Sequence, residues 1–340
     1  MKTVVVTGGS GYIGSAIVET FLKQGYRVVN LDYRAEDHVA NEWVSINLDI
    51  RDSAKLLSVF EQFSPIDCVI HCAGELGIER SYTETELFYS QIVFATDCII
   101  NAVIQYHVPR LIFSSSAAVY SEKNSAVSET DCLNATEMAP YSRYKHICET
   151  KLLSVKSLTD VCIFRYFNVY GCSNDNDMAM LSYLRSPNII PRLLCSAKDH
   201  SPIHINGNNY DTHDGTCVRD YIHVSDLVAL HLKAFLCMQR DTWKKADNGV
   251  YNAGSGTPYS VYDLIRVVEN VSGSKIQTIL QKNGRVMHHI CVRILGKRCT
   301  YSVGRRKTRS NRICRICGSV MCQCMTMGTN CITAPGTQKM

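Results

Sequence analysis

The stretch that most limits the fold is residues 2–32, KTVVVTGGSGYIGSAIVETFLKQGYRVVNLD. Thr3 to Thr7 is an unbroken apolar and β-branched run, the pattern of a strand covered on both faces. Gly8, Gly11 and Gly14 follow, and Ile13, Ile17, Val18 and Leu22 then mark a helix that stops near Gly25. Tyr26 to Leu31 makes the next strand, with Asp32 at its end. A glycine turn between strand and helix lets the backbone approach a pyrophosphate at the helix N-terminus. An acid closing the second strand can accept hydrogen bonds from a ribose diol, which favours NAD over NADP. A glycine triplet alone would say little; in this order the elements predict a dinucleotide site.

The alternation continues with strands predicted over 43–48, 68–71 and 110–116 and helices over 54–63 and 84–106. Repeated βαβ units give an α/β fold, a doubly wound parallel sheet of Rossmann type with ligands at the strand C-termini. Residues 1–167 are read as the nucleotide-binding domain. Residues 168–275 are read as a smaller α/β substrate-binding domain, partly interleaved with the first. Residues 276–340 stand apart.

Composition shows why. From Lys275 onward the chain has 13 Lys/Arg and no Asp or Glu, whereas residues 1–274 hold 23 Lys/Arg against 31 Asp/Glu, a net charge of −8. An acidic body argues against nucleic acid as a partner. Ten of the 17 cysteines lie before residue 275, scattered through apolar runs, which suits buried free thiols in a reducing compartment. The N-terminal apolar run is too short for a signal peptide, and no run is expected to span or anchor to a membrane. The expected location is the cytoplasm.

In PYSRYKHICETKLL, Pro140 opens a helix on which Tyr141 and Lys145, four apart, share a face. Tyr144 points elsewhere. Upstream, FSSSAAVY puts Ser116 just past a strand end, where a doubly wound sheet places its chemistry. A lone Y-x-x-x-K is ordinarily a surface pair and a serine run an ordinary turn, but both follow a nucleotide-binding half here.

These residues, with RYFNVYG, DGTCVRDYIHVSDL and YNAGSG, resemble the extended short-chain dehydrogenase/reductase family over about residues 2–275, and within it the nucleotide-sugar 4-epimerases. The resemblance implies a reversible C4 epimerisation of UDP-glucose and UDP-galactose by transient oxidation, with NAD bound tightly and regenerated each turnover. Tyr141 would be the base, Ser116 would share the sugar hydroxyl, and Lys145 would hold the nicotinamide ribose and help lower the tyrosine pKa. Cofactor contacts would come from Gly8, Gly11, Tyr12, Ile13, Gly14, Asp32, Asp49, Ile50, Cys72, Ala73, Gly74 and Phe167. Asn168, Asn188, Ile189, Asn206 and Arg219 would contact the UDP-sugar, Arg219 offering a fork suited to pyrophosphate. A homodimer is also compatible with the resemblance, and no metal is implied. The bland reading of Arg219 is a surface ion pair with Asp220.

The chain departs from the family pattern at Ile92, at HCAGEL, where a lysine is missing, at Ser121, and at Asn206, where an aromatic residue often packs on uracil. A sugar-nucleotide dehydratase would need carboxyl groups where Ala117 and Ala118 stand. A UDP-pentose 4-epimerase and a non-catalytic NAD-binding protein remain as competing readings.

Three explanations compete for the tail. Cys314, Cys317, Cys322 and Cys324 are spaced loosely for zinc, and GRRKTRSNRICR could be a basic arm. The third is translation out of frame. Taking the last base of each codon with the first two of the next, from Thr278 to Leu295, the genetic code permits YFAKKREGDAPYLCADT. That string resembles the family's next segment and explains the missing acids, the excess of cysteine and the lost periodicity together.

Overall fold

The computed structural model describes residues 1–120, 126–131, 133, 136, 138–172, 183–184, 186, 188–240, 243, 249–281 and 290–291. Ser121, the zinc-spaced cysteines, the basic run and, apart from Ile290–Cys291, the out-of-frame segment beyond Gln281 lie outside them.

The opening strand β1 (Thr3–Thr7) is buried along its whole length, and α1 (Tyr12–Lys23) and β2 (Arg27–Asp32) follow as the sequence predicts. Next come β3 (His38–Val39), β4 (Trp43–Asn47), α2 (Ser53–Phe63) and β5 (Cys68–His71). The segment α3 (Ile78–Thr83), α4 (Thr85–Tyr89) and α5 (Ala95–Gln105) precedes β6 (Arg110–Ser116), α6 (Pro140–Ser154) and β7 (Asp160–Tyr166). The main sheet has the order β11-β7-β6-β5-β1-β2-β4-β3, where β11 is Val250–Ala253. All its pairings are parallel except β3 with β4. The order reverses at β1, which has β2 on one side and β5 on the other, so a crevice opens beyond the C-terminal end of β1.

Alternation along each strand builds two apolar layers. Val5, Val69, Leu111, Phe113 and Ile163 face the cluster that includes α2, α5 and α6 residues such as Phe60, Ile99 and Leu152. Val4, Val6, Ile70, Ile112 and Phe164 face the other, with Ile17 and Phe21 of α1. That second layer is closed by a helix from late in the chain, Val224–Cys237, through Leu227, Val228 and Phe235. Both this helix and β11 lie beyond residue 167, yet they cover and extend the first sheet.

The smaller part contains β8 (Asn168–Tyr170), α7 (Ile189–Asp199), β9 (Ile203–Asn206), β10 (Val218–His223), β12 (Pro258–Ser260), α9 (Val261–Ser272) and β13 (Thr278–Gln281), while α8 (Val224–Cys237) is the late helix on the main sheet. Tyr183, Leu193, Ile203, Ile205, Leu264 and Val268 form its core. Helix α9 is set at its start by a capping box between Ser260 and Asp263 and at its end by Gly273. The backbone of β14 (Ile290–Cys291) pairs parallel with β10 opposite Val218 and Arg219.

The helix expected over 84–106 carries a π-helical turn, Ser90–Phe94. Apolar periodicity carries no signal for that widening. The stretch Thr85–Gln105 is also long and apolar enough to cross a membrane by length and composition, which the sequence reading did not expect of any segment. It lies against α6 and β5, with Phe88, Ile92, Val93, Ile99 and Val103 fully buried, and serves as a core helix.

Candidate active site

The crevice is built first by glycine. A Cβ on Gly14 would stand 2.1 Å from the Gly8 carbonyl oxygen, so helix α1 packs against the turn as it does because that side chain is absent. Gly11 is different: its Cβ would meet Gly8 O at 3.2 Å and the Arg34 guanidinium at 3.5 Å. Gly11 caps α1 without any side-chain hydrogen bond, leaving the first-turn N–H groups available to an anion. Asp32 is buried beneath them, its carboxylate accepting from Ser10 N at 3.1 Å and from Arg34 N at 2.9 Å. Uncapped N–H groups, a side-chain-free approach and a fixed carboxylate form a cradle that fits a dinucleotide.

The other expected cofactor residues lie on several elements. Tyr12 and Ile13 open α1. Asp49 is gripped by Arg51, whose Nε lies 2.9 Å from Oδ1, and that ion pair holds the Asp49 carboxyl below the usual carboxylate range. Ile50 is buried beside it in the core. Cys72, Ala73 and Gly74 follow β5, and the Ala73 N–H donates to Thr7 Oγ1 at 3.3 Å. Gly74 faces Ile92 of the π-helical turn and the Lys145 ammonium. Phe167 is buried beside Gly254.

Tyr141, Lys145 and Ser116 converge at the end of β6. Burial pushes the Tyr141 phenol pKa up, and the neighbouring Ser116 hydroxyl works in the other direction. Ser116 Oγ accepts from Ala118 N at 3.2 Å, which fixes the hydroxyl at the strand end. Lys145 Nζ donates to the Ser114 carbonyl at 2.8 Å and lies 4.9 Å from the centre of the Phe113 ring. Burial lowers its pKa. The phenol pKa is therefore raised in the protein alone, and positive charge from a bound cofactor would lower it. Tyr144 turns away and packs edge-on against Tyr89 at 5.5 Å.

Sequence reasoning missed the buried polar layer under this site. Thr96 Oγ1 donates to the Ile92 carbonyl at 2.6 Å, so it accepts from His71 Nε2 at 3.1 Å, while Thr7 Oγ1 donates to His71 Nδ1 at 2.7 Å. On the other face Ser114, Tyr166 and His231 are joined by two 2.7 Å hydrogen bonds. Glu149 and Arg165 form a buried pair, with Arg165 Nη2 2.6 Å from Glu149 Oε2.

On the substrate side, β8 runs beside β10 with Asn168 opposite Tyr221, two residues from Arg219 along the ladder. Asn168 Nδ2 donates to the Asp220 carbonyl at 3.0 Å. Asn188 precedes α7 without a side-chain cap bond, Ile189 packs on the smaller core, and Asn206 is exposed at the end of β9. The surface-pair reading of Arg219 does not hold: Asp220 is buried and accepts from Ser255 N, Ser255 Oγ and Gly256 N, whereas Arg219 Nη1 reaches the Val218 carbonyl at 3.2 Å.

A cradle for a dinucleotide beside a tyrosine, lysine and serine defines a nucleotide-dependent enzyme acting on an alcohol carbon. Residues 4–254 match the NAD dependent epimerase/dehydratase family, and the chain belongs to it. It is 32% identical over 293 residues to a UDP-glucose 4-epimerase of Bacillus subtilis, covering 80% of this chain and 83% of that one. Among solved structures it is similar to a UDP-glucose 4-epimerase from Bifidobacterium longum in complex with NAD+ and UDP, at 25% identity and TM-score 0.76, covering 96% of this chain and 99% of that one. It is also similar to the UDP-Glc/GlcNAc 4-epimerase of Campylobacter jejuni, at 28% identity and TM-score 0.76, covering 94% and 98% of the two chains.

Proposed function

We propose that the chain interconverts UDP-glucose and UDP-galactose by epimerisation at C4, with NAD held in the crevice beyond β1. The convergence of Tyr141, Ser116 and Lys145 at the end of β6, on the same edge of the parallel sheet as the glycine turn, carries this reading. NAD bound there would supply reversible hydride acceptance from the sugar carbon. Gly11 and the α1 N-terminus hold the pyrophosphate, and Asp32 takes the adenosine ribose. Lys145 orients the other ribose and supplies positive charge near Tyr141. Tyr141 removes the sugar 4-hydroxyl proton and gives it back, with Ser116 holding that hydroxyl in line. Arg219, Asn168, Asn188, Ile189 and Asn206 hold the UDP. Residues 1–167 serve mainly the cofactor and 168–275 the substrate.

Incubating the purified chain with UDP-galactose and assaying UDP-glucose tests the reading directly. Turnover of UDP-arabinose or UDP-xylose alone would favour a pentose epimerase, and NAD binding without any turnover would favour a non-catalytic protein.

Two further readings accompany it. Nine cysteines between Cys68 and Cys237 are free thiols, which supports a reducing, cytoplasmic location. Leu87 and Phe94, seven residues apart on one helical run, are exposed, which supports a homodimer through that face. Sedimentation of Phe94→Glu as a monomer, against a dimeric parent, is the expected result.

A further inference from the structure

Three consecutive residues of β6 each meet one of three residues on α6. Ser116 neighbours the Tyr141 phenol, the Ser114 carbonyl accepts from Lys145 Nζ at 2.8 Å, and Ser115 Oγ donates to Glu149 Oε1 at 2.5 Å. Tyr141, Lys145 and Glu149 are successive four-residue steps, so they lie along one face that drifts by about 80° over about 12 Å of helix. The strand residues they reach span only about 7 Å. Two of these links end at proposed reacting or cofactor-holding groups; the third ends at a carboxylate that the mechanism does not use.

That carboxylate is held unusually firmly. Glu149 also accepts from Arg165 Nε at 3.0 Å and from Nη2 at 2.6 Å, and the two side chains are 2% and 6% exposed. Arg165 sits on β7, in register opposite Ser115 on β6. Its guanidinium lies 4.8 Å from the Tyr120 ring, and Tyr120 Oη donates to Asn252 of β11 at 2.6 Å. Glu149 is therefore joined to β6 and β7, with the far side of Arg165 leaning on a group bound to β11. A buried pair of this kind is seldom retained for stability, because apolar side chains of similar volume serve as well or better. What its directional bonds can fix is the rotation and depth of a helix against a sheet.

We infer that Glu149, held by Ser115 and Arg165, is a positioning residue that sets the Tyr141 and Lys145 face of α6 against the end of β6. This rests on the reading of Tyr141 as the base. Loss of the carboxylate lets α6 rotate, moving Lys145 away from its place beside the tyrosine. It also removes a negative charge that favours the protonated lysine. Burial works against the Glu149 carboxylate, but its bonds from Arg165 and Ser115 help to hold its pKa below the ordinary value.

The test measures Tyr141 ionisation in NAD-loaded protein by ultraviolet difference titration against Tyr141→Phe, and needs no turnover. Glu149→Gln is expected to raise the Tyr141 midpoint by about one pH unit, with kcat reduced about tenfold or more and the UDP-sugar KM changed less than about twofold. Ser115→Ala should shift the midpoint the same way by less, and Ser115→Thr, which keeps the hydroxyl, should restore it. Should Glu149→Gln fail to fold, the Ser115 pair decides. A Tyr141 midpoint at the parent value in Glu149→Gln and Ser115→Ala, with only melting temperature lowered, overturns the inference. A parent protein that turns over no UDP-sugar while its Tyr141 midpoint still follows Glu149 leaves the inference standing and removes the proposed function.

Discussion

Tyr12 Oη donates a 2.5 Å hydrogen bond to the Gly171 carbonyl oxygen, and its ring stacks on Tyr183 at 5.0 Å. The first residue of the cofactor helix is thereby fastened to the smaller core. Burial raises the phenol pKa well above its ordinary value, so the donor proton stays in place at any working pH. Tyr12→Phe keeps the stacking and loses this bond. It is expected to cost about 1 kcal/mol of stability and to weaken UDP and NAD binding together, which parallel calorimetric titrations would measure. Unchanged affinity for both would show that the bond does not link the two halves.

Tyr141→Phe is expected to lower turnover by about 10²-fold or more while UDP binding persists. Tyr144→Phe keeps the ring that packs on Tyr89 and should be nearly silent. Steady-state assays on the two variants decide the assignment, and equal behaviour would refute it.

The glycines should separate folding from binding. Gly14→Ala drives a methyl group into the Gly8 backbone and should lower both the melting temperature and NAD retention. Gly11→Ala meets only looser contacts, so it should fold nearly as the parent does yet bind NAD poorly. Thermal melts beside mass spectrometry of the released nucleotide would compare them.

Two buried histidines predict an acid limit. Burial pushes His71 down to about 3 and His231 to about 4, whereas an unfolded histidine titrates near 6.5. Below pH ~6.5 the unfolded chain takes up protons that the folded chain refuses, so this stability is complete above ~6.5 and declines as pH falls. Each histidine contributes a slope of about 1.4 kcal/mol per pH unit until its folded pKa is reached. Urea midpoints between pH 7 and 4 should follow that slope, and His231→Gln should flatten it by about half. A flat profile would mean that the two rings are not kept neutral by the fold.

Much of this was legible because it is local. The β1–glycine–α1–β2 unit follows from apolar runs and turn residues within the first 32 positions, and Tyr141 with Lys145 from a spacing of four. The π-helical turn at Ser90–Phe94 was not, since apolar residues there satisfy either helical period. Nor was the Glu149–Arg165 pair, whose partners lie on different elements, although an acid one further step of four beyond Tyr141 and Lys145 was a usable signal. The placement of β11 beside β7 depends on contacts far apart in sequence, which periodicity does not encode. Resequencing the transcript across codons 270–300 is the direct check on the frame of the tail.

The position of β11 bears on how the chain is made. Ile163 N–H donates to the Gly249 carbonyl and Phe167 N–H to that of Ala253, so the outer edge of β7 is completed only by residues near 250. On a ribosome adding about 5–20 residues per second, that edge stays open for on the order of ten seconds after β7 has emerged. An unpaired, largely apolar strand edge is a template for a neighbouring nascent chain. Polysomes crowded with this message thus run a risk of cross-pairing that ends only when the distal strand arrives, and a holdase acting in that interval would protect the yield.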